Sequence, residues 1–239
     1  MEFIDEFTDD RQKSWCIHCG AWIAATATNS DHVPSKSLLD RPLPPHVPQV
    51  EICRQCNSSF SLDEEYFVAF LSCVLAGSTR PEAQTNPKVQ RALQRNPALL
   101  ARIEASRKSY STVAGDEKFI WQPEIARVHA VVLKNARGHA YFEFGEPMLS
   151  EPDHIWAVPL VSMTEEQRAS FEDVRASGGL AGWAEVGSRM MTRQIAGQDM
   201  EAGWVVVQPG IYRYAVFHYG SLTVRSVLRN YLATEVGWD

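Results

Sequence analysis

The chain has 239 residues and a mass of 26.8 kDa, enough for one large domain or two small ones. Hydrophobic residues make up 45% and charged residues 22%, which excludes wholesale disorder, collagen-like repeats and a disulfide-dense miniprotein. The formal net charge of −6 argues against nonspecific binding of nucleic acid by the chain as a whole.

The amino-terminal ten residues are acidic and lack the basic start of a secretory signal. No stretch approaches the ~18 apolar residues that a membrane span needs. The most apolar run, residues 66–76, has the length of a core helix. We therefore expect a cytoplasmic protein that does not act at a membrane.

Four of the five cysteines form two Cys-x-x-Cys pairs, Cys16/Cys19 and Cys53/Cys56, separated by 33 residues. Disulfides are disfavoured in a reducing compartment, so two such pairs indicate a tetrahedral four-cysteine zinc site, with redox chemistry as the alternative. Gly20 follows the first pair, where a tight knuckle often needs a positive φ. The sequence therefore predicts a structural zinc ion.

An acid and a histidine, Asp31 and His32, lie between the two cysteine pairs. Phosphodiester hydrolysis needs a base that deprotonates water and a cation that neutralises charge on the phosphate. In an extended segment the two side chains diverge, so His32 could face the water while Asp31 holds the cation. Asn57, directly after the last cysteine, offers a carbonyl oxygen as a second ligand of a hard divalent ion. Structural roles stay open: a hydrogen-bonded His32, a turn or capping Asp31, and a positive-φ Asn57.

The segment after the second pair is predicted to be helical, following a short strand at residues 47–52. A capping-box pattern from Ser61 to Glu64 opens an apolar helix that Gly77 ends. Two further helices are predicted to begin at Asn86 and Asn96, because each asparagine precedes a proline suited to the first helical turn.

These two helices lie in a basic region of the chain. The formal net charge is −6 over residues 1–65, +5 over residues 66–115 and −5 over residues 116–239. Lys88, Arg91 and Arg95 stand at i, i+3 and i+7, along one helix face. We expect these three side chains to contact phosphates; an ordinary solvated face is the alternative.

The remainder of the chain, residues 116–239, is predicted to be α+β. We expect helices at residues 123–137 and 164–175, a strand at 155–162, and an antiparallel meander at residues 204–208, 211–219 and 222–228. No catalytic motif is identified there. The chain is therefore interpreted as an α+β protein with three segments, which are residues 1–77, 78–115 and 116–239.

The order Cys-x-x-Cys, Asp-His-Val-Pro, Cys-x-x-Cys-Asn resembles the HNH endonucleases, whose site is a ββα-metal (His-Me) finger with an optional four-cysteine zinc. The resemblance covers roughly residues 14–75, and residues 53–67 are also similar to a bacterial HNH subgroup. It implies His32 as general base, Asp31 and Asn57 as ligands of a catalytic Mg2+ or Mn2+, and zinc on the four cysteines. The family usually has an asparagine that orients the histidine; residues 33–52 contain none, and Gln49 and His46 are the candidates for that place.

The leading hypothesis is a metal-dependent hydrolase, an HNH endonuclease that cleaves DNA phosphodiester bonds. The main alternative is a non-catalytic zinc-finger module that binds nucleic acid or protein. A third possibility is an effector or toxin component that acts only inside a complex, and a homo-oligomer is also compatible with the sequence. The pair Asp31 and His32 separates the first two hypotheses, because a pure zinc ribbon does not need an acid–histidine pair there.

Overall fold

A computed structural model describes residues 12–24, 26–45, 47–113, 115–174, 188–196 and 200–239. The chain divides into two compact units, of which the first combines the residues up to Ser59 with those from Val132 onward. The second unit is Phe60–Val131. These boundaries differ from the three segments expected from the sequence, because residues far apart along the chain pack together in the first unit.

The first unit begins with two antiparallel strands and a short helix: β1 (Thr28–His32), β2 (Gln49–Cys53) and α1 (Arg54–Ser59). Since side chains alternate across a strand, one face of this hairpin is buried and carries Asp31, Val50 and Ile52. The apolar core beneath it consists of Cys16, Ile17, Ile23, Val33, Val50, Ile52, Cys53 and Tyr141. Strand β2 lies at residues 49–53, close to the predicted position.

The described residues of the second unit form α2 (Ser61–Ala76), α3 (Pro87–Arg95), α4 (Pro97–Ser106), the hairpin strands β3 (Arg107–Ser111) and β4 (Glu117–Trp121), and the start of the next long helix, up to Val131. The predicted caps are confirmed, because the side chains of Asn86 and Asn96 accept hydrogen bonds from the first turns of α3 and α4. Gly77 ends α2 at φ 62°. The capping box at Ser61 is wrong: Phe60 is the N-cap in helical backbone, and no side-chain cap forms.

The carboxyl-terminal part of the first unit is built on one long helix and one sheet. Helix α5 (Ile125–Phe144) runs seven residues past its predicted end, and its residues from Val132 onward belong to this unit. The remaining elements are β5 (His154–Pro159), α6 (Glu165–Glu172), α7 (Arg189–Ala196), β6 (Met200–Glu201), β7 (Trp204–Gln208), β8 (Tyr212–Tyr219), β9 (Ser221–Leu228) and β10 (Leu232–Trp238).

The six strands β5–β10 form an antiparallel sheet in the order β5-β10-β9-β8-β7-β6. This confirms the predicted meander and the α+β class, and adds β6 and β10, which the sequence prediction did not include. Helix α6 opens with a capping box in which Thr164 and Gln167 each bond the other's backbone. The last predicted residue of that helix, Arg175, lies outside the described residues.

Helix α5 carries an unusual number of buried polar side chains for its length. Lys134, Asn135, Arg137, His139 and Glu143 are all buried in the first unit. Buried polar groups need partners, so these residues indicate where the helix is tied to the rest of the unit. None of the described helices is both long and apolar enough to cross a membrane.

Candidate functional site

The four predicted cysteines form a cluster in the first unit. Their Sγ atoms all lie within 4.8 Å of one another, and those of Cys19 and Cys53 are 3.8 Å apart. Zinc–sulfur bonds of ~2.3 Å in a tetrahedron place the sulfurs ~3.8 Å apart, so the cluster has the size of a zinc site. The cysteines are not disulfide-bonded. The donor set therefore fits a metal ion such as zinc.

The backbone around the first pair shows why the sequence folds this way. The Gly20 N–H donates to the Cys16 carbonyl at 2.8 Å, and the Cys16 N–H donates to the Ala21 carbonyl at 2.8 Å. Gly20 has φ 67°, the left-handed conformation that the sequence predicted and that glycine adopts without strain. The two bonds close a tight turn that brings Cys16 and Cys19 to the same cysteine cluster.

The second pair is held by a hydrogen bond to sulfur. The Cys56 N–H donates to the Cys53 Sγ at 3.4 Å. Burial acts to raise the pKa of the Cys53 thiol, but this bond and those from the other cysteine side chains lower its pKa overall. Burial instead raises the pKa of the Cys19 and Cys56 thiols, so binding of a metal ion to the cluster would release protons from these two side chains.

The turn at residues 16–20, which we call the first knuckle, is joined to α5 through Arg137. The Arg137 guanidinium donates to the carbonyls of His18 at 3.3 Å and Ser150 at 2.9 Å. Burial, with the charges of Lys134 and Arg137, lowers the pKa of His18 to about 3. His18 is therefore neutral at pH 7. It does not belong to the metal-binding cluster of the described residues, which contains the four cysteines alone.

Asp31 and His32 lie next to each other in β1 and their side chains diverge, as the extended backbone requires. Asp31 is on the buried face with Val50, its partner in β2. His32 is opposite Gln49, on the more exposed face of the hairpin. The pair thus has one carboxylate inside the unit and one imidazole at its surface.

Asp31 has a partner that the sequence did not predict. The Lys134 ammonium donates to Asp31 Oδ1 and to Ser35 Oγ, both at 2.9 Å. The side chains of Lys134 and Asp31 are only 3% and 10% exposed. The next helix residue, Asn135, accepts the backbone N–H of Ser35 at 2.9 Å through its Oδ1. Two consecutive residues of α5 therefore hold the segment from Asp31 to Ser35.

The basicity of His32 is set by its surroundings. Burial is the largest cause, and the charges of Lys36 and Lys134 add to it; together they lower the pKa of His32 to about 4. The imidazole is therefore neutral at pH 7, which is the form that accepts a proton. It is also a weaker base than an ordinary histidine, and a general base is most effective when its pKa is near the working pH. Lys36 is exposed and begins a short 3-10 helix shortly after the end of β1.

The two residues considered as orienting groups for His32 have different outcomes. Gln49 accepts a hydrogen bond from Ser30 Oγ at 2.6 Å, on the face that His32 shares. His46 lies outside the described residues. The side-chain oxygen of Gln49 is thus hydrogen-bonded to Ser30, two residues before His32.

Asn57 lies in the middle of helix α1, directly after β2. Its backbone is helical, and the positive-φ residues other than glycine in the described chain are Ala202, Arg229 and Asn230. The interpretation of Asn57 as a left-handed knuckle residue is therefore wrong. Along the chain, Asn57 in α1 follows Asp31 in β1, with strand β2 between them.

The predicted basic surface belongs to the second unit. Lys88, Arg91 and Arg95 are exposed on α3, whose other face buries Val89 and Leu93. In the described part of the chain the nearby arginines Arg102 and Arg127 are paired with carboxylates, whereas no described ion pair contains the three α3 cations. Arg107 and Lys108, which belong to the same basic region of the chain, lie in strand β3.

Comparison with protein-family models, with curated proteins and with solved structures finds no match to this chain. The similarity to HNH endonucleases therefore rests on the motif residues themselves.

Proposed function

We propose that this chain hydrolyses phosphodiester bonds of nucleic acid, with His32 as the base that takes a proton from the attacking water. The observation that carries the proposal is a partly exposed histidine on a strand-strand-helix unit whose second strand and helix carry Cys53 and Cys56 of the four-cysteine cluster. A general base contributes about 10²- to 10⁴-fold to such a reaction.

The zinc ion has a structural role in this proposal. Four thiolates complete a tetrahedral shell and leave no position open for water or substrate. Zinc, when bound, supplies folding energy to the knuckles, whereas His32 acts on water outside that shell. The knuckle positions β2 and α1 through Cys53 and Cys56, and β2 in turn pairs with the strand that carries His32.

The phosphate needs a positive charge beside the base. Lys36 provides an exposed ammonium whose charge acts on His32, and it follows the hairpin strand by four residues. The HNH resemblance instead assigns this role to Mg2+ or Mn2+ on Asp31 and Asn57, with DNA as the substrate. That ion remains a prediction from the resemblance, and the buried contacts of Asp31 do not support it.

The test is a cleavage assay on the zinc-loaded chain with plasmid, linear and single-stranded DNA, with and without added Mg2+ or Mn2+. We expect His32→Ala to keep zinc and fold while losing at least ~10²-fold in rate. His129→Ala is the matched control, since His129 is also a partly buried histidine whose pKa burial lowers. Equal rates for His32→Ala and the wild type would refute the role of His32.

A non-catalytic zinc module is the second candidate, and one observation favours it. Asp31, the acid of the motif, is engaged by Lys134 inside the unit rather than presented to solvent. This hypothesis predicts binding of nucleic acid or protein without cleavage in any arm of the same assay.

A further inference from the structure

The cation beside Asp31 belongs to the chain itself. Lys134 Nζ lies 2.9 Å from Asp31 Oδ1, and the two side chains are almost completely removed from solvent. The same ammonium also donates to Ser35 Oγ. An ammonium has three donors, and two of them are thus directed at the segment that contains the Asp-His pair.

A divalent ion does not fit this carboxylate. A hard ion such as Mg2+ needs near-octahedral oxygen ligands at ~2.1 Å and keeps several waters. Asp31 Oδ1 already accepts from the ammonium, and the carboxyl group lies on the buried face of the hairpin with Val50 and Ile52. An ion on either oxygen of Asp31 would also stand within a few ångströms of the Lys134 charge, where two cations repel strongly.

We propose that the Lys134 ammonium is the resident cation of Asp31 and excludes a divalent ion from that carboxylate. Asp31 and Lys134 then form a neutral, buried pair that fixes the strand carrying His32 against helix α5. Asn135 adds a second tie by accepting the Ser35 N–H at 2.9 Å. Lys134 is a positioning residue: it holds the strand through Asp31 and Ser35, and its charge also adds to the lowering of the pKa of His32.

The inference itself concerns ion binding at Asp31. Only its consequence for catalysis by His32 rests on the proposed function. If it holds, His32 works without a metal ion on its neighbouring aspartate. An ion on Asp31 then does not supply the charge that meets the phosphate, and in the proposed function Lys36 supplies it.

The experiment is a titration of the zinc-loaded full chain with Mn2+, followed by the loss of the free-ion electron paramagnetic resonance signal. We expect the wild type and Asp31→Asn to give the same binding curve, because Asp31 holds no Mn2+ in the wild type. We expect Lys134→Met to gain a site at least ~100-fold tighter than any Asp31-dependent binding in the wild type. The double variant Lys134→Met/Asp31→Asn should lose that gain.

Lys134→Met leaves a buried carboxylate without its partner and is therefore expected to be destabilised. Should it fail to fold, Lys134→Gln carries the same test, because its amide can still donate to Asp31 while the charge is removed. Lys118→Met, which removes an exposed lysine of β4, is the matched control and should gain no site.

Two outcomes would overturn the inference. One is a Mn2+ site in the wild type that Asp31→Asn removes. The other is a folded Lys134 variant that gains no Asp31-dependent site. Neither readout depends on cleavage, so a chain that cuts no nucleic acid would refute the proposed function and leave this titration unaffected.

Discussion

Replacing Gly138 by alanine tests how closely α5 approaches the Asp-His segment. A Cβ added at Gly138 would lie 2.6 Å and 2.9 Å from the two methyl carbons of Val33. Ordinary contacts between carbon atoms are ~3.5–4.0 Å, and Val33 is buried, so neither methyl can move away without displacing the core. The substitution therefore forces the strand segment and the helix apart.

Two opposing effects decide the size of this change. Alanine is more favourable than glycine inside a helix by ~0.5–1 kcal/mol. Overpacking a tight core costs ~1–3 kcal/mol. The steric cost is the larger, and we expect Gly138→Ala to lower the free energy of unfolding by ~1–2 kcal/mol.

The assay is equilibrium urea unfolding of the zinc-loaded chain, followed by circular dichroism, with an unchanged m value as the condition for comparison. Val33→Ala removes both methyl groups and serves as the partner variant. In the double variant the new Cβ occupies the space that the methyls vacate, so the two costs should not add, with a coupling of ~1 kcal/mol. A Gly138→Ala protein as stable as the wild type, or strictly additive costs, would refute the close approach.

Three further predictions concern zinc, charge and pH. Cys53→Ser should lose zinc and unfold the knuckle region, because structural zinc supplies ~10–16 kcal/mol in small fingers; elemental analysis that finds no zinc in the wild type would contradict this. Changing Lys88, Arg91 and Arg95 together to alanine should flatten the salt dependence of nucleic-acid binding by about three ions, and an unchanged slope in a filter-binding titration would make α3 an ordinary solvated face. Burial and the Arg193 charge hold the pKa of His139 well below 6.5, so stability is retained above that pH and falls as the pH drops below it, by up to ~1.4 kcal/mol per unit. Between pH 5 and 6.5, the free energy of unfolding measured in urea should change less with pH for His139→Gln than for the wild type.

The features that the sequence predicted well depend on residues that are close together along the chain. The cysteine pairs, Gly20 and the two asparagine caps each depend on residues within a few positions of one another. The meander follows from consecutive segments with strand-like sequence, two of which are separated by a Pro-Gly turn. Local spacing is sufficient in these cases because the partner residues are sequence neighbours.

The features that the sequence did not predict depend on distant pairs. Lys134 lies 103 residues from Asp31, and Asn135 lies 100 residues from Ser35. Nothing in the residues around Lys134 distinguishes it from a solvated helical lysine.

The capping box at Ser61 failed for a different reason. A cap needs an extended residue before the helix, but Phe60 has φ −79° and ψ −17°, in helical backbone. Helix α1 therefore leads almost directly into α2, and the Ser61 hydroxyl stands inside the first turn. A motif of four residues does not report the conformation of the residue before it.

The separation between Asp31 and Lys134 also sets an order of events during synthesis. At ~5–20 residues per second, 103 residues take about 5–20 seconds to translate. Both cysteine pairs leave the ribosome before Lys134 does, so zinc can fasten the knuckles while the buried face of the hairpin is still uncovered. During that interval Asp31 is hydrated and its carboxylate is open to any cation in the surrounding solution. Helix α5 then replaces water with the Lys134 ammonium, and the closing of the first unit becomes an exchange of a mobile counter-ion for a covalently tethered one.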